Sequence, residues 1–281
     1  MIIDFHTHSF PDSLAPRAMA SLIPTFTAIA SFSPQTDGTA SGAKKLLSEA
    51  GVSRAVVCNI ATNARQEPKV NDYAISLLND GFFCPLGSVH PDSENIESEL
   101  DRLKAAGIKG IKLHPAYQQV ALNDIRYKRI IDYADRLGLI VSVHGGLDIG
   151  IPGEWSTPEQ AREIIDEIHP KKLVMAHMGA WQQWEESKEY LCGQDVYFDT
   201  AYCYCNIDYR ADADENTKVK NLNQAEFIEL VRLHGAEKIL FGSDSPWSKQ
   251  QENLQLLQNM DLTEGEKAKI LGENAKKLLG L

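Results

Sequence analysis

The feature that most constrains this chain is a regular rhythm of short apolar runs, rich in β-branched residues and separated by helical patterns. Most runs carry apolar residues at consecutive positions, which is typical of strands buried on both faces of a parallel sheet. Eight strands alternating with helices over about 250 residues is the rhythm of an α/β fold of the (β/α)8 TIM-barrel type. We therefore predict a single barrel domain over residues 1–281. The predicted strands are Met1–His8, Arg54–Ile60, Phe83–Val89, Ile108–His114, Leu139–His144, Lys172–His177, Val196–Thr200 and Ile239–Asp244.

The segments between these runs carry helix signals. Residues Ser93–Ala106 repeat apolar positions at helical spacing, and Pro158 stands at a plausible first turn. Thr263 with Glu266 resembles a capping box. The least regular stretch, Pro11–Gly38, is predicted to be an elaborated loop. An open doubly wound sheet is the alternative fold, but its glycine-rich turn after the first strand is absent here.

Composition narrows the class of partner. The chain has 28 Lys and Arg against 39 Asp and Glu, a net charge of −11, which argues against nucleic acid or an anionic membrane as partner. Five irregularly spaced Cys do not suggest a disulfide framework, and no apolar stretch is long enough to span a membrane. We expect a cytoplasmic protein with a small-molecule substrate. The oligomeric state stays open, a homo-oligomer included.

The first predicted strand contains a His-x-His pattern. Side chains two apart in a strand point to the same face, so His6 and His8 project together at its carboxyl end. Two imidazoles placed this way can chelate a divalent metal. Asp4 lies one pleat deeper and could orient a ligand.

Other predicted strands end in residues of the same kind. Lys112 and His114 end the fourth strand, His144 the fifth, His177 the sixth and Asp244 the eighth. Lys112 and His144 are 32 residues apart, His144 and His177 are 33 apart, and His177 and Asp244 are 67 apart. These intervals correspond to one, one and two βα units of about 30 residues. In a barrel these ends converge on one face, where active sites are built.

At this point the chain resembles the amidohydrolase superfamily, and in detail its amidohydrolase-related branch, which contains aminocarboxymuconate-semialdehyde decarboxylase. The resemblance rests on segments spread over the whole chain: IIDFHTH, GIKGIKLHP, LGLIVSVHGG, KLVMAHMGA, VYFDTA, KILFGSDSPW and ILGENAKKLLGL. It implies a (β/α)8 fold and a divalent metal, most often zinc. His6, His8, His144 and Asp244 match the family's metal ligands, and His177 matches the histidine that polarises the substrate or water or binds a second metal.

Lys112 stands where binuclear members of the superfamily carry a carboxylated lysine bridging two metals. We favour one metal ion, with Lys112 as an ammonium that binds a substrate carboxylate; two ions would follow if Lys112 is carboxylated. Asp244 is the predicted general base and acid, and His177 the predicted stabiliser of developing charge.

Some residues near the strand ends carry weaker signals. His114 and Trp247 are predicted to contact substrate, and Arg17 and Arg65 in the loops are candidates to hold a carboxylate. No role is assigned to His90.

Three functions remain open. The first is metal-dependent hydrolysis of an ester, lactone or amide bond by a metal-activated water. The second is a nonhydrolytic decarboxylase or hydratase acting on an unsaturated or aromatic carboxylic acid. The third, a catalytically silent metal- or ligand-binding barrel, predicts the loss of a ligand or base, and no such loss is visible.

Overall fold

The strands form a parallel barrel. The computed structural model describes residues 1–27, 33–207 and 218–281. One sheet pairs β1 with β2, and a second has the order β3-β4-β5-β6-β7, with every pairing parallel. The predicted (β/α)8 architecture is confirmed. The strand bounds are β1 Ile2–Thr7, β2 Val52–Val57, β3 Gly110–Leu113, β4 Ile140–Val143, β5 Leu173–Met175, β6 Tyr197–Asp199 and β7 Ile239–Leu240.

The third predicted strand, Phe83–Val89, is not a regular strand. Residues 83–87 nevertheless occupy the barrel position between β2 and β3. Bridges join Phe83 to Ala55, Leu86 to Cys58 and Gly87 to Ile111. Pro85 has no N–H to donate and therefore interrupts the ladder at this position.

The barrel closes between β1 and the chain after β7. The eighth predicted strand, Ile239–Asp244, is regular only over its first two residues. Beyond them, Phe5 N donates to Phe241 O at 2.7 Å and Asp244 N to His6 O at 2.8 Å. Asp244 has a φ of +63°, which ends the extended conformation but leaves the segment paired with β1.

Helices cover the outside of the barrel. Pro158 begins a helix capped by Thr157, and Thr263 caps another together with Glu266, as predicted. The helices are α1 Ala15–Thr27, α2 Ala40–Glu49, α3 Glu67–Leu77, α4 Ile96–Ala105, α5 Pro115–Gln118, α6 Ile125–Arg136, α7 Pro158–Ile168, α8 Trp184–Tyr190, α9 Gln224–His234, α10 Gln250–Asn259, α11 Glu264–Ala268 and α12 Asn274–Leu279. The described residues also form a 3-10 turn, Ala236–Lys238, and a π-helical turn, Lys269–Glu273.

The prediction of a loop over Pro11–Gly38 is wrong in part, because α1 lies inside it. Its buried Ala15 and Met19 stand one helical turn apart, but the prolines and serines around them obscure the period. Residues 28–32 of that stretch lie outside the described residues.

Alternating strand residues pack into two apolar clusters. Ile140, Val174 and Leu240 belong to one, whereas Val141 and Ile239 belong to the other, which also takes in the helices. The polar strand ends are thus held on a packed scaffold. None of the described helices is long and apolar enough to cross a membrane.

Candidate active site

One corner of the site is formed by the carboxyl end of β1 and the segment that follows β7. His6, His8 and Asp244 offer ligand atoms that all lie within 4.8 Å of one another. The distance to Asp244 Oδ1 is 3.1 Å from His8 Nε2 and 3.6 Å from His6 Nε2. Barrel closure brings together residues that lie 236 positions apart in the sequence.

His6 in β1 and His8 just after it each have their Nδ1 atom hydrogen-bonded to a group outside this corner. His6 Nδ1 lies 2.9 Å from Asp199 Oδ2, and His8 Nδ1 lies 3.1 Å from Cys58 O. Because a carbonyl oxygen only accepts, His8 Nδ1 carries the proton, and the ionised Asp199 selects the same tautomer of His6. In the neutral rings both Nε2 atoms therefore turn a lone pair towards Asp244, which is the arrangement that second partners impose on metal-binding imidazoles.

His144 and His177 form the opposite corner. His177 Nδ1 donates to Ala201 O at 2.7 Å, and His144 Nε2 donates to Leu147 O at 2.9 Å. The remaining nitrogens, His144 Nδ1 and His177 Nε2, lie 3.0 Å apart and both carry a lone pair. Burial, followed by the nearby His6, lowers the pKa of His177 to about 4, and burial and His177 lower the pKa of His144 well below its usual value.

At neutral pH these two rings therefore share no proton, and their lone pairs face each other. Such a contact is repulsive unless a cation lies beside it. The four predicted ligands do not form a single cluster, however: the structure groups His144 with His114 and Asp148. The nitrogen and carboxylate donors in the cavity nonetheless fit a divalent metal ion.

Asp199, for which the sequence analysis assigned no role, holds the two corners together. Its Oδ2 accepts from His6 Nδ1, and its Oδ1 accepts from the main-chain N–H of His177 at 3.0 Å and of Ala201 at 3.1 Å. Burial opposes ionisation, but the interaction with His6 outweighs it and keeps the Asp199 pKa below its usual range. The sequence signal that could have identified Asp199 is an acidic residue at the end of a buried apolar run.

Asp4 contacts main chain rather than a histidine ring. Its Oδ1 accepts from His6 N at 3.2 Å and from Ser243 N at 2.9 Å, so it ties β1 to the segment that carries Asp244. Burial raises its pKa to about 7. Asp4 therefore contributes to the site by holding two backbone segments together, the end of β1 and the segment around Ser243.

Lys112 lies at the bottom of the site with a fully buried side chain. Its Nζ is 3.5 Å from His6 Nε2, the lone-pair nitrogen of that ring. A cation at this depth is close enough to bind an anionic group placed beside the histidines.

His114 stacks on His144 on one side and on Tyr117 on the other. The ring centroids are 4.0 Å and 3.9 Å apart, and the rings are within 15° of parallel. His114 Nε2 faces Asp148 Oδ2 at 3.7 Å. Burial raises the pKa of Asp148 to about 6. Asp148 lies in the loop after β4, and a loop has no periodic sequence pattern from which its place in the site could be predicted.

Two of the predicted catalytic residues adopt a backbone conformation that is unusual for residues other than glycine. His177 has a φ of +62° and Asp244 a φ of +63°. Such residues cost of order 1–3 kcal/mol and persist only where the surroundings hold them. Here the hydrogen bonds of His177 N to Asp199 and of Asp244 N to His6 O do so.

A cavity of about 770 Å³ is lined by the histidines of both corners, Lys112, Asp148 and Asp244, together with residues of α1 and of the start of α3. The predicted substrate contacts Lys112, His114 and Trp247 all line it. Arg17 and Arg65 are exposed and do not, so the structure does not support a carboxylate-binding role for them. His90 is also absent from the lining; its Nδ1 accepts the N–H of Asp92. Aromatic side chains form much of the wall: Phe10, Tyr73, Tyr117, Trp181, Tyr202 and Trp247.

A family model described as amidohydrolase matches residues 3–281. The chain belongs to this amidohydrolase family. It is therefore an enzyme of the amidohydrolase superfamily, and the predicted resemblance to its amidohydrolase-related branch is confirmed. No curated protein matches the sequence.

Solved structures with the same fold include two decarboxylases and a probable hydrolase. The chain is 12% identical to 5-carboxyvanillate decarboxylase from Sphingomonas paucimobilis, with a TM-score of 0.69 and coverage of 100% of this chain and 99% of the other. It is 14% identical to a manganese-bound dihydroxybenzoic acid decarboxylase from Polaromonas sp. JS666, with a TM-score of 0.69 and coverage of 100% and 97%. It is 17% identical to a probable 2-pyrone-4,6-dicarboxylic acid hydrolase from Acinetobacter baumannii, with a TM-score of 0.65 and coverage of 100% and 99%. At these identities the likeness establishes the fold.

Proposed function

We propose that this enzyme is a metal-dependent decarboxylase of an aromatic or unsaturated carboxylic acid. The observation that carries the proposal is the cavity itself, in which a buried Lys112 and a set of metal-type donors lie at the base of an aromatic wall. That combination suits a flat ring or double bond bearing an acidic group. Two decarboxylases of hydroxylated aromatic acids share the fold, which favours this reaction over the hydrolysis that the sequence analysis put first.

We propose that the metal is held by His6, His8 and Asp244, with His144 or His177 completing its ligand set. When bound, such an ion would supply positive charge to substrate oxygens. Imidazole and carboxylate donors accept both zinc and manganese, so zinc remains our prediction for the native ion. One ion with Lys112 as a free ammonium is the form that we propose.

Different side chains of the protein then have different roles in the reaction. Lys112 binds a substrate carboxylate or ring hydroxyl oxygen, and the aromatic wall excludes water and fixes the ring. Loss of carbon dioxide breaks one C–C bond and leaves its electron pair on the substrate carbon. That carbon must therefore gain one proton for the product to form.

Asp244 is the group that we propose for moving this proton. Burial would raise its pKa, but the neighbouring imidazoles of His6 and His8 keep that pKa below the usual range. Asp244 therefore rests as a carboxylate and must first receive a proton. An acidic substrate hydroxyl could supply it, with transfer to carbon in a second step. His177, which is neutral with a pKa of about 4, is placed to stabilise charge rather than to donate.

The test is a substrate panel run with enzyme loaded separately with zinc and with manganese. Hydroxybenzoates and unsaturated acids are compared with lactones, aryl esters and amides, and both carbon dioxide release and acid release are measured. Carbon dioxide release from the acids alone supports the proposal. Acid release from lactones or esters without any carbon dioxide would overturn it in favour of hydrolysis. Metal analysis of the same samples distinguishes one ion from two.

A further inference from the structure

The outer end of the cavity carries two side chains that the proposed reaction does not use. Gln66, the N-cap of α3, and Lys69 both line the cavity. Residues three apart lie on the same face of a helix, so the amide and the ammonium face the same opening. They are separated in depth from Lys112, which lies buried at the base.

Both residues have donors to spare. Gln66 Oε1 accepts the hydroxyl of Thr62 at 2.9 Å, which fixes the amide and leaves its N–H groups for another acceptor. Lys69 makes no hydrogen bond or ion pair with any residue of the ranges 1–27, 33–207 and 218–281. By contrast, Lys44, Lys128 and Lys188 each lie within 3 Å of a carboxylate oxygen.

The surroundings of this pair favour an anion. The lining here also includes apolar side chains: Leu14 just before α1, Leu22 on α1, and Val70, which adjoins Lys69 on α3. The acids of the cavity lining, Asp148 and Asp244, already face histidines at the base. In a chain of net charge −11 the average field repels anions, so an acidic ligand needs local cations to enter.

We propose that Gln66 and Lys69 form a subsite for a second acidic group of the substrate. The substrate is then a diacid: one carboxylate lies at the base beside Lys112, where it is lost, and the other is held at the outer end. This inference rests on the proposed decarboxylation for the fate of the first group. Binding of the second acidic group depends only on the hydrogen-bond donors of Gln66 and Lys69.

The test compares Lys69→Met, Lys69→Arg and Gln66→Leu with the matched control Arg65→Met, an exposed cation outside the cavity lining. Each variant is assayed with a hydroxybenzoate and with the same ring bearing a second carboxylate. Lys69→Met should raise KM for the diacid about tenfold with kcat nearly unchanged and leave the monoacid unaffected, because one charged hydrogen bond is removed. Gln66→Leu should do so more weakly, and Lys69→Arg should restore most of the wild-type KM.

Equal effects of Lys69→Met on monoacid and diacid, or no effect on either, would overturn the subsite. Binding without turnover separates this outcome from failure of the proposed reaction. A hydroxynitrobenzoate, with a nitro group in place of the carboxylate to be lost, is titrated by calorimetry against the hydroxynitrobenzene that lacks the remaining carboxylate. Tighter binding of the nitrobenzoate that disappears in Lys69→Met and weakens with added salt supports the subsite even if no acid is decarboxylated. Equal affinities for the two probes would contradict it.

Discussion

The base and the outer end of the cavity are built by different means. At the base, the chemically active side chains stand on strand ends, are buried, and are fixed by partners, as His6 is by Asp199 and His177 by Ala201 O. At the outer end, Lys69 and Gln66 stand on a helix, are exposed, and have donors that no described residue uses. The comparison suggests that the barrel core determines the chemistry, whereas the surrounding helices determine which molecule is accepted.

The sharpest test at the base is Asp244→Asn. Asparagine keeps the size of the side chain and tolerates a φ of +63°, so the fold should survive. We expect kcat to fall by about 10³-fold, because the proton carrier is lost. Steady-state kinetics and metal content are measured together. The exposed Asp261→Asn is the control, and unchanged turnover in Asp244→Asn would remove this residue from the mechanism.

The second test removes the support of a ligand rather than a ligand. Asp199→Asn weakens the hydrogen bond that orients His6, so we expect the affinity for the divalent ion to fall about 10–100-fold. Metal titration with a competing chelator measures it. Asp195→Asn, which alters an exposed ion pair with Lys238, should leave the affinity unchanged. Equal affinities in all three proteins would mean that His6 needs no such support.

The third test asks what the ring of His114 contributes. If it positions His144 by stacking, His114→Phe should keep kcat within about threefold while His114→Ala loses about tenfold. If instead His114 contacts substrate through a nitrogen, as the sequence analysis predicted, both variants should be equally impaired. Comparing kcat for the two variants decides between a positioning role and a binding role.

The smallest effect on catalysis is expected at the outer end. Ala18→Phe on α1 narrows the cavity and should raise KM for larger acids about threefold, with kcat within about twofold. Ala20→Phe, on the exposed side of the same helix, is the matched control. A fall in kcat for every substrate alike would break the proposed division between base and outer end.

The same division explains what could be predicted from the sequence. Strand ends recur at a fixed interval and parity, so the convergence of His6, Lys112, His177 and Asp244 on one cavity followed from counting. Pro85 broke one predicted strand, because periodicity alone does not register a missing N–H.

Contacts made by loop residues leave no repeating pattern in the sequence and so could not be predicted from it. The pairing of Asp148 with His114 depends on how the segment after β4 folds back. Arg17, on α1, and Arg65, just before α3, are not part of the cavity lining although residues close to them are. The left-handed backbone at Asp244 is a conformation that aspartate tolerates better than most residues, but the residue type alone does not predict it.

Asp4 binds the main-chain N–H of Ser243, 239 residues further along the chain, and the ring of His8 faces Asp244 across a similar interval. During synthesis on the ribosome, the two early histidines emerge long before the carboxylate that completes their cluster. An ion captured by the nascent chain would lack that ligand until barrel closure. The nascent chain should therefore reach its full metal affinity only when the last strand has paired with the first. Measuring metal affinity in a translation-arrest experiment would report that step.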